Sequence, residues 1–245
     1  MILLKPLFFL WRAWLWVSVL FGLIAFSPIG VIFISFEKTY HLFHLFCRWW
    51  CRLVLILNGF WYDLKLKQKL DPKSSYIICP NHTSKFDIIL LFAILPNTFV
   101  FMGKTGLTNF LFFEWFYNKT MITFKRGSVS SAVQAYRKAD RLLKNGVSIV
   151  IFPEGQVPQK NIRLQKFKSG AFKLAINNQV PIIPITFIDN RRKYPEDELE
   201  LKLGLLRVFI HSPIITNGMD ASYCNKMRDL TYNTINETLI NYENK

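Results

Sequence analysis

The stretch Pro80-Asn81-His82-Thr83-Ser84-Lys85-Phe86-Asp87, PNHTSKFD, lies between two apolar runs, SYIIC (Ser75–Cys79) and IILLFAIL (Ile88–Leu95). A short apolar run, a polar knot and a longer apolar run predict a strand, a loop and a helix. In an α/β sheet the loops at the C-terminal ends of strands host ligand sites, so the loop's histidine and aspartate are candidates for chemistry. His82 leaves the strand, and Asp87 falls about one helical turn into the next segment. An aspartate bonded to one imidazole nitrogen fixes the tautomer and leaves the other nitrogen free to accept a proton. Ser84 is nearby, but no G-x-S-x-G elbow surrounds it, so such a base would act directly on a substrate hydroxyl. A helix-capping aspartate and a satisfied loop histidine account for the same spacing. The spacing alone leaves both readings open.

Outward from this loop the pattern repeats. After Lys73, short β-branched runs at Tyr76–Cys79, Thr98–Met102, Met121–Phe124, Val147–Phe152, Ile182–Ile188 and Leu205–Ile210 read as strands. Helical stretches lie near Phe86–Leu95, Ser128–Lys144, Ser169–Asn177 and Ala221–Tyr242. Alternation of the two types predicts an α/β fold with a mostly parallel sheet flanked by helices. The charged run from Asp189 to Leu203 reads as an exposed excursion. No internal repeat, glycine-rich nucleotide loop or metal-ligand spacing is present, and Cys47, Cys51, Cys79 and Cys224 form neither a zinc pattern nor a disulfide framework.

The N-terminal region has another character. From Leu7 to Phe36 the only charged residue is Arg12. A long apolar segment edged by Lys5 and Arg12 suits a bilayer rather than a nucleic acid, whose readers intersperse basic and aromatic residues over a folded surface. Ala13–Phe36 is long enough to span hydrocarbon, but Ser27-Pro28-Ile29-Gly30 interrupts it and proline can break or kink a helix. A full span, a half-inserted hairpin and a buried core helix remain open. In the next segment His41, His44, Arg48 and Arg52 recur at helical spacing among Phe, Trp and Leu, which reads as a basic stripe in a headgroup layer. A formal charge of +15 agrees with an anionic membrane surface. Residues 1–70 are therefore expected as membrane-associated helices and residues 71–245 as the α/β domain, at the membrane and facing the cytoplasm.

Four ordered blocks carry a resemblance: NHTSKFD at Asn81–Asp87, TFKRG at Thr123–Gly127, FPEG at Phe152–Gly155, and FKSGAFKLAINNQVPIIPI at Phe167–Ile185. Together they resemble the glycerolipid acyltransferases typified by lysophosphatidic acid acyltransferase, over roughly Tyr76 to Ile188. The resemblance implies that His82 is a general base on a lysolipid hydroxyl and that Asp87 orients it. The activated hydroxyl would attack an acyl-carrier-protein or acyl-coenzyme A thioester, with no further cofactor and no metal, giving phosphatidic acid from lysophosphatidic acid. It also implies an acceptor site that includes Glu154 and Gly155. Arg126 is the best candidate for the headgroup phosphate, with Lys104 beside it, and Glu154 is expected to orient Arg126, Lys104 or a hydroxyl. The expected partners are membrane lipids, the lysophospholipid and the thioester donor, with no nucleic acid. One departure stands out. Relatives often continue FPEG with Thr-Arg-Ser, whereas this chain has Gln156-Val157-Pro158, and Lys160 and Arg163 come after it out of register. Acylation of another lysolipid, such as a lyso-aminolipid, is the alternative within the same chemistry. A non-catalytic membrane-anchored lipid-binding protein is the alternative outside it.

Overall fold

The structure is a computed structural model that describes residues 5–84, 86–104, 120–125, 127–159, 161–195 and 202–243, with only the backbone at residues 37 and 104. In chain order the elements are α1 (Lys5–Ala25), α2 (Ser27–Ser35), a 3-10 turn (Glu37–Thr39), α3 (Tyr40–Leu57), β1 (Phe60–Leu66), β2 (Ile77–Pro80), α4 (Phe86–Ile94), β3 (Phe99–Lys104) and β4 (Met121–Phe124). Next come α5 (Val129–Lys144), β5 (Ser148–Val150), α6 (Gly170–Asn178), β6 (Ile182–Phe187), α7 (Asn190–Lys193), β7 (Gly204–Ile210) and α8 (Cys224–Glu243). All six strands expected from the sequence are present, and β1 is an addition. Contacts divide the chain into two compact units, one of Met1–Lys65, Thr83–Leu95 and Phe187–Val208, the other of Leu66–His82, Pro96–Thr186 and Phe209–Lys245.

In the first unit the apolar N-terminal segment is one helix with a break, packed antiparallel to α3. Trp50 donates to Ser18 O, Phe46 meets Phe26, and Gly30 faces Phe43, so positions rise along α1 and α2 as they fall along α3. The break at Phe26 has a local cause. Pro28 has no N–H for the carbonyl of Ile24, and the Ser27 hydroxyl donates to that oxygen instead, at 2.9 Å. The chain reverses at the 3-10 turn, not at Ser27–Gly30. Among the described residues α1 alone is long and apolar enough to cross a bilayer. Its 21 residues rise about 32 Å.

Helix α3 is inverted relative to a water-soluble helix. Of the four residues expected to face headgroups, His41 is exposed but the other three turn inward: His44 is buried, Arg48 Nε donates to Leu95 O at 2.9 Å and Arg52 Nε to Ala93 O at 2.8 Å. The two arginines thus satisfy carbonyls at the C-terminal end of α4, where cations are favoured. Leu45, Trp49 and Ile56 point outward together with Trp14, Phe21 and Ile24 of α1. A contiguous exposed face of this kind is what a lipid environment selects.

The described part of Asp189–Leu203 is only partly an exposed excursion: Arg192, Lys202 and Leu203 are exposed, but Asp189, Asn190 and Tyr194 are buried. The buried Asp189 carboxylate takes Arg207 Nε and Nη2, both at 2.8 Å, and the Arg207 amide. Although burial pushes this carboxyl upward, the Arg207 side-chain and backbone bonds outweigh it and hold it below the usual range. Tyr194 is buried as well. It stacks on Phe86, accepts from Trp16 Nε1 at 3.0 Å and lies under the Arg12 guanidinium, which also bonds Pro195 O. The one charge in the apolar run is therefore a packing contact of α1.

In the second unit β6, β2, β5, β3 and β4 are neighbours in that order and parallel, with Ile77 level with both Ile182 and Ile149 and Phe101 level with Met121. β2, β5 and β6 are buried throughout, as central parallel strands are, which is why they read as unbroken apolar runs. α5 packs on β4 and β5, α6 on β2, and α8 on α6. The sheet's C-terminal edge therefore gathers the loops that come after β2, β5, β3 and β4.

This packing has two measurable consequences. A Cβ at Gly22 would lie 1.9 Å from Trp50 Nε1. Overpacking of this kind costs about 1–3 kcal/mol, so Gly22→Val lowers the melting temperature of the detergent-solubilised protein by several degrees. In the second unit the imidazole of His211 bonds Thr186 Oγ1 at 2.8 Å. Burial, with help from the charge of Lys67, lowers its pKa from 6.5 to about 4. The fold thus holds it neutral while the unfolded chain binds a proton. The stability this confers is complete above the unfolded value and is lost as pH falls towards the folded one, up to about 3 kcal/mol. Melting temperatures measured from about pH 7 down to about pH 4.5 should fall, and His211→Gln should flatten the decline.

Candidate active site

His82 is the second residue beyond β2, and the residues that fix it come from the segment after β5. Its amide donates to Glu154 Oε1 at 2.6 Å, and its ring stacks on Phe152 with centroids 4.0 Å apart. Phe152 in turn lies parallel to Phe101 of β3 at 6.4 Å. An aromatic face against the imidazole limits its rotation, while the ring itself is only partly buried. Loop and ring position are thus set by two residues of the FPEG block.

Glu154 is buried, and its second oxygen accepts from the Gln165 amide at 2.8 Å. One carboxylate therefore gathers two backbone N–H groups separated by 83 residues of chain. Charged acceptors of this kind make the stronger class of hydrogen bond. These main-chain partners make Glu154 a positioning residue for His82, while Arg126 and the Lys104 side chain, the partners expected from the sequence, lie outside the described residues. Gly155 comes next at φ +78, a left-handed conformation. A Cβ there would lie 2.6 Å from Lys168 Nζ.

A cleft of about 390 Å³ opens at the same edge. Its lining includes Met102, Phe124, Tyr136, Phe152, Gly155 and Lys168. Lys168 was not singled out from the sequence, where it reads only as the entry to a helix; the signal that could have found it is its place in the fourth ordered block. The cleft is mostly apolar with few polar groups, the usual character of a small-molecule site.

Asp87, at the start of α4 in the first unit, is fully buried. It accepts from Thr83 N at 2.6 Å, Thr83 Oγ1 at 2.5 Å, Ser84 N at 3.0 Å and Asn190 Nδ2 at 2.7 Å. It thereby holds together the Thr83–Ser84 turn just after His82. Ser84 is buried and its hydroxyl accepts from Phe86 N, as a helix-entry residue does. Arg126 and Lys160, and the side chain of Lys104, lie outside the described residues. Among the described residues no group of His, Cys, Asp and Glu is arranged to hold a metal ion.

The model of the family described as Acyltransferase matches residues 63–188, just over half of the chain. The chain is 28% identical over 212 residues to the chloroplastic 1-acyl-sn-glycerol-3-phosphate acyltransferase BAT2 of Brassica napus, covering 85% of this chain and 60% of that one. It is 30% identical over 206 residues to the chloroplastic LPAT1 of Arabidopsis thaliana, with 82% and 56% covered, and 26% identical to the human beta enzyme of the same name, with 78% and 69% covered. The chain thus spans less than two thirds of the length of the two plant relatives. The crystal structure of the 1-acyl-sn-glycerophosphate (LPA) acyltransferase PlsC from Thermotoga maritima superposes with a TM-score of 0.79, covering 98% of both chains at 18% identity, which establishes a shared fold.

If Glu154 anchors two main-chain donors, Glu154→Gln must turn its NH2 against one of them. An unmet buried donor costs about 1–3 kcal/mol. At about 2–4 °C per kcal/mol for a chain of this size, the melting temperature should drop by several degrees. Glu237→Gln on the exposed side of α8 should leave it unchanged.

Proposed function

Because the chain belongs to the acyltransferase family, we propose that it transfers a fatty acyl group from a thioester to the free hydroxyl of lysophosphatidic acid, forming phosphatidic acid. The observation that carries this reading is His82. It is held by Glu154 and Phe152 at the C-terminal edge of a parallel sheet, within the first of four ordered blocks. In the proposed reaction His82 takes the proton of the acceptor hydroxyl. The oxygen attacks the thioester carbonyl carbon and a tetrahedral oxyanion forms. The C–S bond then breaks, and the departing thiolate receives the proton from the imidazolium, leaving ester and thiol. Asp87, five residues further along, would fix the tautomer of His82 and stabilise its charged form. The donor is acyl-coenzyme A or an acyl-carrier-protein thioester. Arg126, with Lys104, is proposed for the acceptor phosphate on the strength of the TFKRG block.

The outward apolar residues of α1 and α3 support placement at a membrane, and the catalytic domain is proposed to face the cytoplasm, where thioester donors are found. One observation favours a second reading. Gln156 and Val157 bring no cation after FPEG, and a lysolipid without a phosphate monoester, such as a lyso-aminolipid, has less need of one.

An assay of the purified full chain with a panel of lysolipids and both thioester donors separates these readings. Lysophosphatidic acid should be the preferred acceptor, and preference for an acceptor lacking the phosphate would select the second. His82→Ala should reduce turnover by about two to four orders of magnitude. Near-normal turnover in a folded His82→Ala protein would rule the base out.

A further inference from the structure

Among the described residues lining the cleft, Lys168 carries the positive charge. Its position is specified from two directions. The Lys168 amide donates to Pro153 O at 2.8 Å, tying its backbone to the FPEG turn. Its stem lies across Gly155: a Cβ on that glycine would come within 3.2 Å of Cδ, 3.0 Å of Cε and 2.6 Å of Nζ. A residue other than glycine would push the ammonium off the turn. The lysine also belongs to the segment that Glu154 holds through Gln165, and the same carboxylate holds His82. One buried group therefore sets the places of both the candidate base and this cation.

Resting on the reading given under Proposed function, we propose that Lys168 binds a phosphoryl group of a substrate in this cleft and is a specificity-determining residue of the site. A strongly hydrated point charge at the rim of an apolar cleft suits a phosphate, which Lys binds as a point charge. Val157, on the neighbouring stretch after the glycine, offers no such charge. The phosphoryl group belongs either to the lysolipid acceptor or to the phosphate-bearing thioester donor, and the test separates the two.

Binding is measured in the full-length His82→Ala protein, so that turnover does not enter. The probes are lysophosphatidic acid, the matching monoacylglycerol without phosphate, and coenzyme A. Lys168→Ala, added to that protein, should weaken lysophosphatidic acid at least tenfold and leave monoacylglycerol unchanged. Lys168→Arg should recover most of the loss. A loss confined to coenzyme A upholds the phosphoryl site and assigns it to the donor. Unchanged affinity for both phosphate ligands in a folded Lys168→Ala protein overturns the assignment, as does equal weakening of monoacylglycerol. If the parent His82→Ala protein binds neither phosphate ligand, both the assignment and the reading beneath it fall. Loss of lysine dependence alone overturns only the assignment.

Discussion

The buried carboxylate of Glu154 is the constraint on which the candidate site depends. It accepts one main-chain N–H from the loop after β2 and another from the segment that leads into α6. Neither loop belongs to a ladder or a helix at that point, so neither would be fixed by secondary structure. An ionised group with two oxygens can satisfy both donors at once, and a buried charge is tolerated where such donors surround it. A neutral amide of the same shape could not. The aromatic stack of Phe152 on His82 then adds orientation to position. Asp87 acts on the next stretch of the same loop, by accepting from the turn at Thr83 and Ser84.

The helical region shows a different pattern of exposure. In α3 the basic residues point to protein carbonyls and the apolar ones point out, the reverse of a helix on a water-soluble domain. Arg12 obeys the same logic, lying against Tyr194 rather than in solvent. Even the break in the N-terminal helix is repaired internally: where Pro28 removes a donor, the Ser27 hydroxyl supplies one. Backbone groups left without a partner are costly, so such a repair helps a helix tolerate proline.

Much of this was legible in the residues. The central strands, buried on both faces, announce themselves as continuous apolar runs, and their alternation with helices implies the parallel sheet. His82, Glu154 and Gly155 lie at strand ends where the pattern put them. The features that escaped reading did so for physical reasons. Strand β1 was hidden because WYDLKL directly continues the apolar helix α3; the Asn58-Gly59 stop, with Gly59 at φ +75, was the available signal. Asp189–Tyr194 looked solvated because composition does not reveal pairing, and its partner Arg207 lies 18 residues away. The inward turn of Arg48 and Arg52 depended on where α4 ends, which periodicity in α3 cannot show. Lys168 gains its place through its amide's bond to Pro153 O and the left-handed turn at Gly155, neither of which composition reveals.

The sheet's connectivity also bears on how the site comes into being. β2 is flanked by β5 and β6, whose paired residues Ile149 and Ile182 lie far downstream of Ile77. The loop carrying His82 is thus synthesised long before the strand and carboxylate that hold it. Pairings over such separations close late, after their loop entropy has been met. The apolar helices α1 to α3, by contrast, precede the sheet in the chain, although α1 too reaches a late partner, Tyr194. On a ribosome the apolar segment emerges while His82 is still without the carboxylate that holds its amide. A chain caught between those two stages would have its apolar helices made and its candidate site still unbuilt.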